Sequence, residues 1–247
     1  MWGERPFESL WRTTTSSRGG KKMWVVPEIN AEFVQKMEDV LRVYARPYNV
    51  KEPVICLDER PVVLRNSGRP GSMVRPGRVA RTDYEYVRKG TANIFCIVEL
   101  KTGKRLTYAT RRRTNRDFGR ALRRVSKAYP KAKRIHLVVD NLSTHSEKAC
   151  IDTFGERKGR SLWRRFKVHY SPKHGSWLNA AEMEAGLVGR QCLGKRRIPN
   201  LTTLRREVRR WRAVATRQGM PIRWKFRVKD ARRVFRYDTL RSPRSEH

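Results

Sequence analysis

The run RIHLVVD, residues 134–140, is a block of apolar, β-favouring residues that stops on an acid, with a helical pattern on either side. Upstream, TNRDFGRALRRVSKAYP (114–130) sets Thr114 and Asp117 at the spacing of a capping box. Phe118, Ala121, Leu122, Val125 and Tyr129 share one face of that helix, and Pro130 stops it. Arg120, Arg123, Arg124 and Lys127 occupy the opposite face, which reads first as a solvated surface. Downstream, a helix from about Thr144 to Phe154 leads to a second short strand, FKVHYS (166–171). Two strands joined through a helix lie parallel, with a right-handed crossover.

Earlier in the chain the pattern changes. PVICLDERP (53–61) is another apolar strand ending in acid, and TANIFCIVELKTGKRLTYAT (91–110) reads as a hairpin turning at Lys101–Lys104, with Gly103 suited to a positive φ. Residues 65–82, rich in Gly, Pro and Arg, read as a loop. A helix is expected over NAEFVQKMEDVLRVYARP (30–47), buried through Phe33, Met37, Val40, Leu41, Val43 and Tyr44. Leu201, Leu204, Val208, Trp211 and Ala215 form a stripe on a later helix. IRWKFRVK (222–229) alternates like a half-buried strand or extended segment, and Asp230 is placed to cap a last short helix. The element order is that of an α/β fold whose sheet has an antiparallel part and a parallel part.

The 247 residues carry 58 Lys and Arg against 23 Asp and Glu, a net charge of +35 that calls for a polyanionic partner. Apolar runs such as IFCIV are too short to span a bilayer, and the first residues lack a signal-peptide core, so a cytoplasmic chain with no membrane partner is expected. Cys56, Cys96, Cys150 and Cys192 are widely spaced and read as buried free thiols.

In so basic a chain, acids at the ends of apolar strands need a reason. Asp58 and Asp140 end two strands, and if those are parallel neighbours their carboxyl ends share a rim. Glu182, near the start of a helix opening in SPKHGSWLNAAEMEAG (171–186), could close a triangle of three carboxylates. Such a set suits Mg²⁺, which prefers oxygen ligands, and a pair of such ions can clamp an in-line phosphoryl displacement. Each acid also has a structural reading. Asp58 and Glu59 point to opposite faces, so one of them is expected at the surface. Asp140 can start a turn, Glu182 can pair with Asn179 in a capping box, and Glu184 is expected to be solvated.

The motifs VICLDERPV (54–62), DYEYVRKGTANIF (83–95), HLVVDNLSTH (136–145) and YSPKHGSWLNAAEME (170–184), in this order, resemble bacterial insertion-sequence transposases related to mariner elements. That group, the insertion sequence 630 family, falls among the DDE superfamily endonucleases. The resemblance runs from about Lys21 to Tyr237. It implies a ribonuclease-H-like mixed sheet with flanking helices at residues 23–198, after an irregular lead-in (1–22) and before a basic C-terminal helix and strand extension (199–247). It implies Asp58, Asp140 and Glu182 as catalytic metal ligands for two Mg²⁺ ions, with Mn²⁺ as a substitute, and Glu184 as a bystander. His174 and Asn179 belong to the same motif and would shape the helix entry, touch DNA or simply pack; with Lys173, Arg111, Arg112 and Arg113 they are the candidate DNA contacts.

The implied reaction is cleavage of DNA at element ends and transfer of the freed 3′-hydroxyl to target DNA, by a homodimer on DNA in a bacterial, nucleoid-associated setting. Relatives of this kind carry helix-turn-helix modules ahead of the catalytic domain, and residues 1–20 lack the period and length for them. Specific end recognition is therefore expected from a separate helix-turn-helix product of an upstream reading frame. Two alternatives remain: a catalytically inactive nucleic-acid-binding remnant, and a Mg²⁺ endonuclease that cuts without joining.

Overall fold

A computed structural model describes residues 29–69, 76–77 and 84–237; the expected lead-in lies outside these, as does most of the expected 65–82 loop. Five strands form one mixed sheet in the order β3-β2-β1-β4-β5. β1 (Val54–Ser67) and β2 (Tyr86–Glu99) are long antiparallel partners, and β3 (Tyr108–Thr110) adds a short antiparallel edge. β4 (Ile135–Val139) joins β1 in parallel, and β5 (Phe166–Tyr170) joins β4 in parallel. The antiparallel and parallel parts expected from the element order therefore meet at β1. That strand runs to Ser67, so residues 65–67 are ladder rather than loop.

Alternation along β1 divides the core between the two faces of the sheet. Ile55 and Leu57 point to one face, against Phe118, Leu122 and Val125 of α2 (Asn115–Ala128) and Cys150 of α3 (Glu147–Phe154). Cys56 points to the other face, against α1 (Ala31–Ala45) and Ala180 and Ala181 at the entry of α5 (Ala181–Leu187). Further along this second face, Leu204 and Val208 of α6 (Leu201–Gln218) pack on Ile94 and Cys96, so α6 lies on the sheet itself.

Local signals explain most boundaries. Thr114 and Asp117 form the expected capping box, and Asn30 caps α1 by accepting from the Phe33 N–H at 2.8 Å. Gly155 separates α3 from α4 (Glu156–Trp163), a helix the sequence pattern missed; Gly159 of α4 lies so close to α3 that a Cβ there would come within 2.6 Å of the Ile151 Cα. The β2–β3 turn places Gly103 at φ +70°, and the Ile222 N–H reaches the Leu100 carbonyl beside it at 2.9 Å. Residues 222–227 join no strand, though burial alternates along them, and Asp230 accepts from the Arg227 N–H at 2.9 Å as α7 (Val228–Phe235) begins. All four cysteines are free and buried, and no helix among the described residues is long and apolar enough to cross a membrane.

Candidate metal centre

Parallel register sets the first two acids level. The β1–β4 ladder ends with Cys56 paired to Val138, and that register, continued two residues, sets Asp58 level with Asp140 just past the carboxyl end of β4. Asp58 shares the face of Cys56, where α5 starts with Glu182 in its first turn, while Asp140 contacts His145 on the α2 side. Burial is the largest influence on the Asp58 carboxyl, and with the charges of Asp140, Glu59 and Glu182 it lifts the pKa to about 7. This happens although the Glu59 N–H donates to Asp58 Oδ1 at 2.7 Å, which favours the ionised form. Asp58 thus feels the charges of Asp140 and Glu182, which come from two other parts of the chain.

The entry to α5 is held by bonds rather than by a capping box. Ala180 is the N-cap and no side chain caps it, so the expected Asn179–Glu182 box is absent. Asn179 is buried instead: its Nδ2 donates to the Leu57 carbonyl at 2.8 Å, and its Oδ1 accepts from the Ala181 N–H at 3.1 Å. Tyr44 of α1 donates to the Leu178 carbonyl at 2.8 Å and accepts from the Ala180 N–H at 3.0 Å. Asn179 therefore couples the residue before Asp58 to the helix carrying Glu182, and its burial leaves it no role as a DNA contact. Lys173 and His174 lie exposed in the turn after β5, His174 at φ 60°, and Arg111, Arg112 and Arg113 are exposed between β3 and α2.

Glu59, one residue along β1, points to the α2 face with a side chain only 4% exposed, so neither neighbour in the Asp58–Glu59 pair is a surface acid. Its Oε1 lies 3.0 Å from Nε2 of the fully buried His145, whose Nδ1 lies 3.1 Å from the Asp140 carbonyl and 2.7 Å from Asp140 Oδ1. Phe118 stacks on the imidazole with ring centres 4.4 Å apart. Burial alone would lower the histidine pKa, but the contacts with Asp140 and Glu59 outweigh it and push the value up to about 10. Glu59, Asp140 and His145 offer ligand atoms within 4.8 Å of one another. Held between Asp140 and Glu59, His145 is placed to orient both carboxylates. Sequence reading missed this pair, although the signal was present: Glu59 shares strand parity with Leu57 and had to enter the α2 core.

The donor set suits a hard divalent cation. Asp140 Oδ1 lies 2.7 Å from His145 Nδ1. Among the described residues Glu59 Oε2 is buried with no hydrogen-bond partner, a costly state for a carboxylate oxygen unless a cation is near. Asp58 provides a test without metal. Its pKa is 3.8 unfolded and about 7 folded, so the folded state holds the extra proton and stability is lost as pH rises from about 4 to 7. In EDTA, Asp58→Asn is expected to raise Tm at pH 8 by roughly 2–4 °C, the shift about 1 kcal/mol gives at this size, with the gain vanishing at pH 4. Equal Tm changes at both pH values would remove the crowded-carboxylate description.

A mixed sheet with helices on both faces, its central strands parallel, is an architecture of ribonuclease-H-like type. Residues 53–205 match the DDE superfamily endonuclease family, and the chain belongs to it. Among solved structures, the Mos1 mariner paired end complex with Mn is similar at TM-score 0.52 and 15% identity, covering 83% of this chain and 63% of that chain. A pre-cleavage Mos1 transpososome is similar at TM-score 0.51 and 14% identity, covering 86% of this chain and 64% of that one. At such identities the likeness is one of fold, and this chain spans less than two thirds of the length of those proteins. Among curated proteins none matches.

Proposed function

We propose that this chain is the catalytic part of an insertion-sequence transposase of the insertion sequence 630 type, cutting DNA at element ends and joining the freed 3′-hydroxyl to target DNA. The observation that supports this reading is that Asp58 feels the charges of Asp140 and Glu182 in a chain of net charge +35. These three carboxylates would hold two Mg²⁺ ions, with Mn²⁺ able to replace them. Bound there, the cations supply Lewis-acid polarisation of a phosphoryl oxygen and a more acidic attacking water or hydroxyl.

The chain's own residues do the rest. Asn179 keeps Glu182 in step with Asp58, and the Glu59–His145 brace orients Asp140. Exposed Lys173, His174 and Arg111–Arg113 would touch the phosphate backbone, adding affinity without sequence information. A paired-end arrangement, the state named for the Mos1 complex, gives two protomers on two DNA ends, with end recognition supplied by a helix-turn-helix product. The bacterial, nucleoid-associated setting belongs to the same proposal.

The test is a plasmid assay. Mg²⁺-dependent nicking that EDTA abolishes, followed by covalent joining of a labelled 3′-hydroxyl end to the plasmid, is expected. Nicking without joining would leave an endonuclease, and DNA binding without nicking would leave an inactive remnant.

A further inference from the structure

At the β3 edge of the sheet, α2 approaches from one face and α6 from the other, and between them lies a trough of about 490 Å³. One wall carries Arg120 and Arg124, four residues apart on α2; the other carries Arg205, Arg209 and Arg212 on α6; Arg111 stands at the mouth. Residues four apart on a helix rise together by about 6 Å, so each wall presents a row of guanidinium groups along its helix.

Several of these arginines are fixed in place. Arg205 and Arg212 donate to the outward carbonyls of Ala109 and Thr107, each at 3.4 Å, which occupies the free edge of the sheet. The Arg124 guanidinium sits 4.5 Å above the Tyr108 ring, which is itself stacked on Phe95. The trough holds one acid, Asp117: its Oδ2 accepts from the Thr114 backbone N–H at 3.1 Å and from Oγ1 at 2.8 Å, and its Oδ1 accepts from Arg120 at 3.4 Å. Of the six arginines lining the trough, five therefore face no carboxylate within it. Burial first, then the charges of Arg124 and Arg209, lower the Arg212 pKa, the mark of crowding without a counter-anion.

We infer that this trough is a built seat for a phosphodiester backbone, taking one strand of DNA along the edge of the sheet between α2 and α6. A run of phosphates matches two facing rows of cations, whereas a lone small anion would leave most of them unpaired. The seat neighbours the carboxylates through α2, whose Phe118 packs on His145 from the opposite side of the helix to Arg120 and Arg124. Arg120 and Arg124 lie on the exposed face of α2 expected from the sequence, and in this reading they form one wall of the seat. The choice of DNA as the polyanion rests on the proposed function.

The test measures binding of a labelled DNA duplex to the full chain in EDTA across a salt series. For the pair Arg120→Ala with Arg209→Ala, the log K against log salt slope is expected to flatten by about 2, roughly 0.9 for each phosphate no longer neutralised. The charge-preserving pair Arg120→Lys with Arg209→Lys is expected to keep the slope, which separates charge loss from misfolding. Arg223→Ala with Lys225→Ala removes two exposed charges from residues 222–227 and is expected to leave the slope nearly unchanged. An unchanged slope in the trough pair, or equal flattening in the control pair, would overturn the seat. So would inorganic phosphate displacing DNA far better than chloride at equal ionic strength, which marks a small-anion site. Because no metal is present, loss of nicking with the slope effect intact sinks only the nuclease reading, and nicking with a flat trough response sinks only the seat.

Discussion

Asp140→Asn is expected to reduce Mg²⁺-dependent DNA nicking by at least about 100-fold, beyond the 10–100-fold that outer-shell partners of a metal site typically cost. DNA binding in EDTA should be unchanged or tighter, since the substitution removes a negative charge facing the phosphates. Asp140 is the informative position because two candidate ligand groups share it: Asp58 with Glu182 on one face of β1, and Glu59 with His145 on the other. Amide replaces carboxylate at constant shape, so the His145 contact keeps a polar partner and the fold should persist. Companion variants tell the groups apart. Glu182→Gln should match Asp140→Asn if the first group holds the metal, while Glu59→Gln should fall only in the outer-shell range. A Glu59→Gln defect deeper than that of Glu182→Gln would move the metal to the α2 face. Nicking by Asp140→Asn equal to that of the unaltered chain would end the case for a metal centre at this rim.

How much of this was legible beforehand follows from the range of each interaction. The amphipathic period of α2, its capping box and the apolar block before Asp140 are local, and the structure has them where the pattern put them. The mixed sheet followed from the crossover between 135–139 and 166–170 together with the hairpin at Gly103. Glu184 was misread for the opposite reason. Spacing on a helix says that Glu182 and Glu184 face different ways, but not which way is inside. The partner that makes Glu184 an interior residue is Arg105, distant in sequence and one of 58 basic residues, with nothing local to single it out. The Glu59–His145 contact is equally long-range, although strand parity with Leu57 gave a clue. Asn179 was ambiguous because its side chain bonds to a backbone carbonyl, and a carbonyl has no identity in sequence.

Arg105→Met is expected to destabilise the chain by about 3–5 kcal/mol, the usual consequence of leaving one member of a buried ion pair without the other. Arg105 and Glu184 have side chains 1% and 0% exposed, with Nε donating to Oε2 at 3.0 Å. The guanidinium also donates to the Gly103 and Ala215 carbonyls at 2.8 and 3.1 Å, and Thr107 Oγ1 donates to Glu184 Oε1 at 3.1 Å. One cation therefore bolts together the β2–β3 turn, the last part of α6 and the short helix α5. Since α5 has only seven residues and carries Glu182 two positions before Glu184, this bolt also sets where Glu182 is presented. Tm should fall on the order of 10 °C. The double variant Arg105→Met with Glu184→Gln should recover much of the loss, because no charge is then stranded in the core. Lowering the pH should partly rescue the single variant, as protonation of Glu184 removes the buried charge. Activity loss should accompany instability in Arg105→Met, and in the double variant it should persist in part even at temperatures where the fold is intact, since α5 has lost its anchor. A single variant less than about 1 kcal/mol below the unaltered chain would mean that Glu184 finds water or another cation, and that packing alone holds α5 at the metal rim.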